Sequence, residues 1–211
     1  ISPTMQDQVI LLGDIFDRGG AEPDPVGVYF RIRGLNNLNI VRGNHDELLA
    51  AHIYSCYGSV PRKRDGLQPY RYNSFELMKE RLVEVDMLNL ADWIMKLPLQ
   101  IETEIGSVKY LFAHAMTFDP KQGEQEAKAY LEGLGAMQEY YNCGVDGYVS
   151  LVGHYDTQYQ CRNPKGSYLD EQSSSIWRNG PGNVYMMDCG CGLPGGRLAC
   201  ICLETGERFY A

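Results

Sequence analysis

Long hydrophobic runs are missing from this 211-residue sequence: the longest apolar stretches, Val9 to Leu12 and Leu198 to Leu203, are strand-sized. A membrane span needs roughly 18 apolar residues. A positive charge excess is missing too. Nineteen basic against 27 acidic residues leave a net charge of −8, the wrong sign for a chain that wraps nucleic acid through a basic face. An anionic substrate therefore needs a local cation to overcome the field of the whole chain. The seven cysteines are an odd number, and their spacing does not match the disulfide framework of a small secreted domain. Most are expected to be reduced thiols in a cytoplasmic protein, with no signal peptide to argue otherwise. Low-complexity segments and repeats of solenoid length are absent, and only 61–69 and 172–183 read as linkers. What remains is ordinary for a globular domain: 44% apolar and 22% charged residues, in a length that buries a core without disulfide staples.

Four β-rich runs each end on a polar residue of ligand type. Val9 to Leu12 ends at Gly13-Asp14, Asn39 to Val41 at Gly43-Asn44-His45, Val108 to Ala113 at His114, and Tyr148 to Val152 at Gly153-His154. Sites in open α/β sheets are built beyond the carboxyl ends of strands, where rigid strands aim the loops that follow. Helical stretches are expected over Pro25 to Leu35, Asp46 to Tyr57, Ser74 to Lys96 and Pro120 to Tyr141, the last weakened by Gly133 and Gly135. Two further strands are expected over Asn183 to Met187 and Leu198 to Leu203, with Glu204 to Glu207 as a turn. The class is α/β with room for two sheets.

Histidine is scarce, yet three of the four, His45, His114 and His154, stand directly after an apolar strand run. A single histidine so placed is most simply a hydrogen-bonded structural residue. Taken together with Asp14 and Asn44 in matching positions, the set offers imidazole, carboxylate and amide oxygen. That mixture suits Mn, Fe or Zn, and the lack of thiolates argues against a purely structural zinc knot.

The segments Gly13-Asp14-Ile15-Phe16-Asp17-Arg18-Gly19 and Arg42-Gly43-Asn44-His45-Asp46 resemble the two signature motifs of the calcineurin-like metallophosphoesterases, and the arginine after the second aspartate points to the bacterial phosphoprotein-phosphatase-like branch. Asp188-Cys189-Gly190 onward resembles the last strands of that branch. The resemblance implies two facing β-sheets flanked by helices in one domain over 1–211, with 58–97 as a possible lid or helical insertion. It implies hydrolysis of phosphoesters by a metal-activated hydroxide, of the protein serine/threonine phosphatase type or, alternatively, symmetrical hydrolysis of dinucleoside polyphosphates such as diadenosine tetraphosphate. Asp14 would bridge two divalent metal ions, and Asn44, His114 and His154 would complete the shell of the second. His45 would be the general acid, Asp17 would fix its tautomer, and Arg18, with Asn44, would bind the phosphoryl group.

The sequence also departs from the family pattern. Asp-x-His, which holds the first metal, belongs about a strand and a helix upstream, but thirteen residues precede Asp14 and none is histidine. The expectation is a longer protein that holds two ions, of which this chain carries only the second site and lacks the first strand and helix. A non-catalytic metal-binding or partner-binding domain is the rival from another class. Tyr155 follows His154 where the family has Thr or Ser, either as a phenol at the rim of the site or as packing. Between Ala115 and Gly153 there is no arginine for a second phosphate clamp, only Lys121 and Lys128. Cys189-x-Cys191 and Cys200-x-Cys202 are expected to be buried thiols packed as small apolar groups. Arg62-Lys63-Arg64, with Arg71 and the tyrosines Tyr54, Tyr57, Tyr70 and Tyr72, reads as a solvated loop or as a lid that attracts phosphorylated substrates.

Overall fold

The computed structural model describes residues 4, 6–20, 22–58, 70–133, 137–158 and 165–211. They divide into two units, Ser2–Pro98 and Leu99–Ala211. The basic run Arg62-Lys63-Arg64 and the 61–69 linker lie outside the described residues.

In the first unit strand β1 (Val9–Leu11) pairs in parallel with β2 (Leu38–Ile40), Val9 opposite Leu38 and Leu11 opposite Ile40. Parallel neighbours need a crossover, which α1 (Pro25–Arg33) supplies. Proline at its first position is preset for a helix start, and the Asp24 carboxylate caps it by accepting from the Gly27 N–H at 2.9 Å. After β2 the chain enters α2 (Asn44–Tyr57). The single helix expected over Ser74 to Lys96 is instead two, α3 (Ser74–Lys79) and α4 (Glu84–Lys96). The reason is phase. Leu82 and Met87 are five residues apart, about 140° out of register on a helix of 3.6 residues per turn. The extended backbone of Val83 (ψ 163°) returns both to the apolar interior. There Phe16, Leu49, Ile53, Met78, Leu90 and Ile94 form one core.

The second unit holds a six-stranded sheet in the order β3-β4-β5-β8-β7-β6, from Gln100–Ile105, Val108–Ala113, Val149–Val152, Val184–Met186, Trp177–Asn179 and Gly166–Tyr168. Strands β4, β5 and β8 run parallel, and the outer pairings are antiparallel. Leu111, Val152, Val184 and Met186 on the parallel strands share a core with Tyr141 and Trp177. Near-continuous apolar strands of this kind belong to the middle of a covered sheet. Because the three run parallel, their carboxyl ends meet one edge, so His114, His154 and Asp188 follow from neighbouring strands.

The helix expected over Pro120 to Tyr141 is broken into a 3₁₀ turn (Pro120–Gln122), α5 (Ala127–Glu132) and α6 (Met137–Cys143). Gly133 ends α5 at φ 76°, a left-handed conformation that glycine adopts without penalty; Gly135 lies outside the described residues. The 172–183 stretch, expected as a linker, carries β7. The chain closes with the hairpin β9 (Ala199–Ile201) and β10 (Arg208–Tyr210). The α/β class is as expected: a mixed fold with a six-stranded sheet flanked by helices.

Candidate active site

In the first unit two loops, after β1 and after β2, are held together by one buried carboxylate. Asp46, in the first turn of α2, accepts from the backbone N–H groups of Gly43 and Asp14, each at 2.9 Å, and of Ile15 at 3.0 Å. Asp14 reciprocates: its Oδ1 accepts from the His45 N–H at 2.9 Å. A Cβ at position 43 would overlap the Asp14 carboxylate and nitrogen, so only glycine allows this approach. Arg42 turns away from this loop contact. Its Nε lies 3.3 Å from Glu47 Oε2 in a buried ion pair, and one guanidinium nitrogen donates to the Met95 carbonyl at 3.1 Å, tying α2 to the end of α4. In the first motif Asp14 and Arg18 stand at φ 54° and 65°. Left-handed backbone in residues other than glycine costs energy, and it concentrates where a site demands a particular side-chain direction.

The loop so held presents a connected polar group. His45, 7% exposed, places Nδ1 3.0 Å from Asp17 Oδ2. Asp17 is almost sealed, and its other oxygen accepts from the Tyr70 hydroxyl at 2.6 Å and lies 2.6 Å from Ser74 Oγ. Burial first, and then the Asp17 carboxylate, push the Tyr70 phenol far above its usual range, so it remains a donor. With Nδ1 turned to Asp17, Nε2 is the ring nitrogen of His45 that faces Arg18 and Tyr72. An Arg18 guanidinium nitrogen and the Tyr72 hydroxyl each lie 3.2 Å from it, and Asp14 Oδ2 lies 3.9 Å away. A carboxylate behind an imidazole and a guanidinium before it can orient the ring and bring an anion to it.

In the second unit His114 and His154 end β4 and β5, which pair with Ala113 opposite Val152. The Gly153 N–H donates to the His114 carbonyl at 2.7 Å, and His154 takes φ 66°. His154 Nδ1 then lies 3.2 Å from His114 Nε2. Two imidazoles on one tetrahedral ion, with ligand bonds of about 2.0–2.1 Å, have their nitrogens about 3.3 Å apart. The pair therefore fits a shared divalent metal. Tyr155 stacks edge-on against His154 at 4.6 Å between centroids, and its hydroxyl donates to the Glu132 carbonyl at 2.8 Å.

Asp14, Asp17, Arg18, Asn44 and His45 thus belong to the first unit, and His114 and His154 to the second. Sequence reasoning missed the roles of Asp46 and Ser74, and it placed Tyr70 and Tyr72 in a possible lid rather than against Asp17 and His45. For Asp46 the signal was present, since an acid at the third position of a helix capped by glycine is placed to bond back to the loop. The expectation of four buried thiols is corrected: Cys189 is buried, with its thiol pushed up to about 12 by burial, but Cys191 and Cys200 are exposed. Two-residue spacing puts cysteines on one face only in a continuous strand, and Cys189 and Cys191 lie in a turn rather than in β8. All six described cysteines are free.

The family model for calcineurin-like phosphoesterases matches residues 1–182, across both units, and the chain belongs to that family. Membership implies a hydrolase acting on phosphoesters with the aid of divalent metals. Among solved structures the chain is similar to a hypothetical protein of Pyrococcus horikoshii OT3, at 17% identity and a TM-score of 0.46, over 96% of this chain and 73% of that one. No curated protein sequence matches it. Among the described residues no helix is long and apolar enough to cross a membrane.

Proposed function

We propose that the chain is a phosphatase of the phosphoprotein-phosphatase-like branch, with His45 as general acid. The observation that carries this reading is the buried Asp17–His45 hydrogen bond with Arg18 beside the outward nitrogen. Hydrolysis forms one bond from water oxygen to phosphorus and breaks the bond to the leaving oxygen, which must take up a proton. Asp17 holds the His45 ring with Nε2 outward, and His45 passes that proton to the leaving oxygen. Arg18 binds phosphoryl oxygens as a planar fork, and Asn44 shares in binding the substrate in this reading.

Asp14, Asn44, His114 and His154 are the ligands in this reading, and Mn, Fe and Zn all suit their nitrogen and oxygen donors. A divalent ion supplies Lewis acidity there, neutralising phosphoryl charge and making water nucleophilic at neutral pH. The six free cysteines among the described residues support a reducing compartment such as the cytoplasm.

A second reading, symmetrical hydrolysis of dinucleoside polyphosphates, is favoured by one feature: no arginine stands between Ala115 and Gly153 to clamp a phosphoprotein a second time. Turnover of phosphopeptides, aryl phosphates and diadenosine tetraphosphate, each with added Mn²⁺, separates the two. Faster release from phosphopeptides supports the first, preference for the dinucleotide supports the second, and no release from any substrate overturns both.

A further inference from the structure

The signature motifs account for Asp14, Asp17, Arg18 and His45, but not for a phenol that meets the same nitrogen. Tyr72 lies just before α3, in a segment that matches neither motif. Its hydroxyl is 3.2 Å from His45 Nε2 and 3.5 Å from an Arg18 guanidinium nitrogen. Its ring lies 4.4 Å from the His45 ring between centroids, tilted by 39°, and the Arg18 guanidinium carbon is 5.7 Å from its centre. Three groups able to donate, the imidazole Nε2, the guanidinium and the phenol, thus surround one small volume.

We propose that Tyr72 is a further catalytic residue, whose hydroxyl donates a hydrogen bond to the leaving-group oxygen as it separates from phosphorus. The inference rests on the hydrolysis proposed above. The Tyr72 hydroxyl lies within hydrogen-bond reach of His45 Nε2, the nitrogen that hands its proton to the leaving oxygen, so an oxygen seated at Nε2 lies beside the phenol O–H as well. Negative charge on that oxygen grows as the bond to phosphorus lengthens, so a donor already in place is worth more in the transition state than in the bound substrate. Tyr72 keeps its own proton; the proton transferred comes from His45.

Two neighbours make the phenol rigid enough for this work. Tyr70 meets Tyr72 edge-on at 5.7 Å between centroids and is itself anchored to Asp17, while Ser74 bonds the same carboxylate. The segment that delivers Tyr72 is therefore fastened to the carboxylate that orients His45, and acid and phenol are placed by one anchor. A donor held in this way needs no reorganisation at the moment of reaction.

Tyr72→Phe removes the hydroxyl and keeps the ring on His45. The variant and the wild type are compared on a series of phosphate monoesters, from p-nitrophenyl phosphate to alkyl phosphates with poor leaving groups, with Mn²⁺ present. The expected result is a kcat lowered about 10-fold or more for the alkyl esters and much less for the nitrophenyl ester, at nearly constant KM. A thermal midpoint within about 3 °C of wild type shows that folding is not the cause. His45→Asn on the same series is the control for the underlying reading. If it steepens the leaving-group dependence and Tyr72→Phe does not, Tyr72 is not catalytic although the reading stands. If the wild type hydrolyses none of the esters, both fall together. An equal loss across the whole series would also overturn the proposal, because it would place Tyr72 in general packing rather than at the leaving oxygen.

Discussion

His154 holds its Nδ1 3.2 Å from His114 Nε2 only by adopting a left-handed backbone, φ 66°, at the end of β5. Position 154 thus sacrifices local stability to aim an imidazole. Asparagine tolerates this conformation better than most residues. His154→Asn is expected to leave the urea midpoint unchanged or raise it, while divalent metal affinity falls by at least about tenfold. Calorimetric titration with Mn²⁺ or Zn²⁺ and urea denaturation check the two halves. Lower stability with unchanged affinity would make His154 a structural residue.

Asp46 is the second test, because its carboxylate satisfies three backbone donors at once. Asp46→Ala leaves those N–H groups without their acceptor in a buried place, with an expected loss of about 3 kcal/mol or more. Asp46→Asn, which keeps one carbonyl oxygen, falls between. A loss under about 1 kcal/mol by denaturant unfolding would show that the two loops are held by other contacts.

The Asp170 cluster predicts a pH dependence. Hydrogen bonds from Arg208 first, and then from Tyr210, hold the Asp170 carboxyl below its ordinary range. A depressed native value adds stability above the unfolded carboxyl range, near 3.9, and that stability is lost as pH falls through the native value. Asp170→Asn is therefore less stable than wild type at neutral pH, and the gap closes as pH falls below about 4 and through the native value. Thermal midpoints measured across this range decide it; a constant gap would mean that charge plays no part.

Much of this scaffold was legible because its strands are short apolar runs that stop at punctuating residues: Val108 to Ala113 before His114 is an example, and its bounds match β4. Asp14, Asn44, His114 and His154 stood out as ligand-type residues at strand ends, whereas the roles expected of Asp17, Arg18 and His45 came from the resemblance to the family's motifs. Strand β3 carried an alternating signal, with Ile101, Thr103 and Ile105 less exposed than Glu102 and Glu104, that was passed over. The three-residue strands β6, β7 and β10 are too short for any period to register. Tyr70 and Tyr72 were legible only as members of a possible lid, and Ser74 not at all, since they reach Asp17 and His45 across 27 to 57 residues of sequence. Contacts of that kind come from packing and leave no local pattern.

The division of labour around His45 predicts a selective defect. His45→Asn is expected to slow hydrolysis of esters with poor leaving groups by about 10²–10⁴-fold and activated aryl esters far less. Metal content, measured on the purified variant by emission spectrometry, stays at the wild-type level. Loss of the metal along with activity would make His45 a ligand.

Metal-dependent hydrolysis of phosphoesters is tested most directly by phosphate release from p-nitrophenyl phosphate before and after chelation. The wild-type chain is expected to lose its turnover in EDTA and to regain it on addition of Mn²⁺, Fe²⁺ or Zn²⁺, whereas Asp14→Asn regains little at the same concentrations. Turnover that survives chelation, or a wild-type chain that releases no phosphate with any of the three ions, would contradict it.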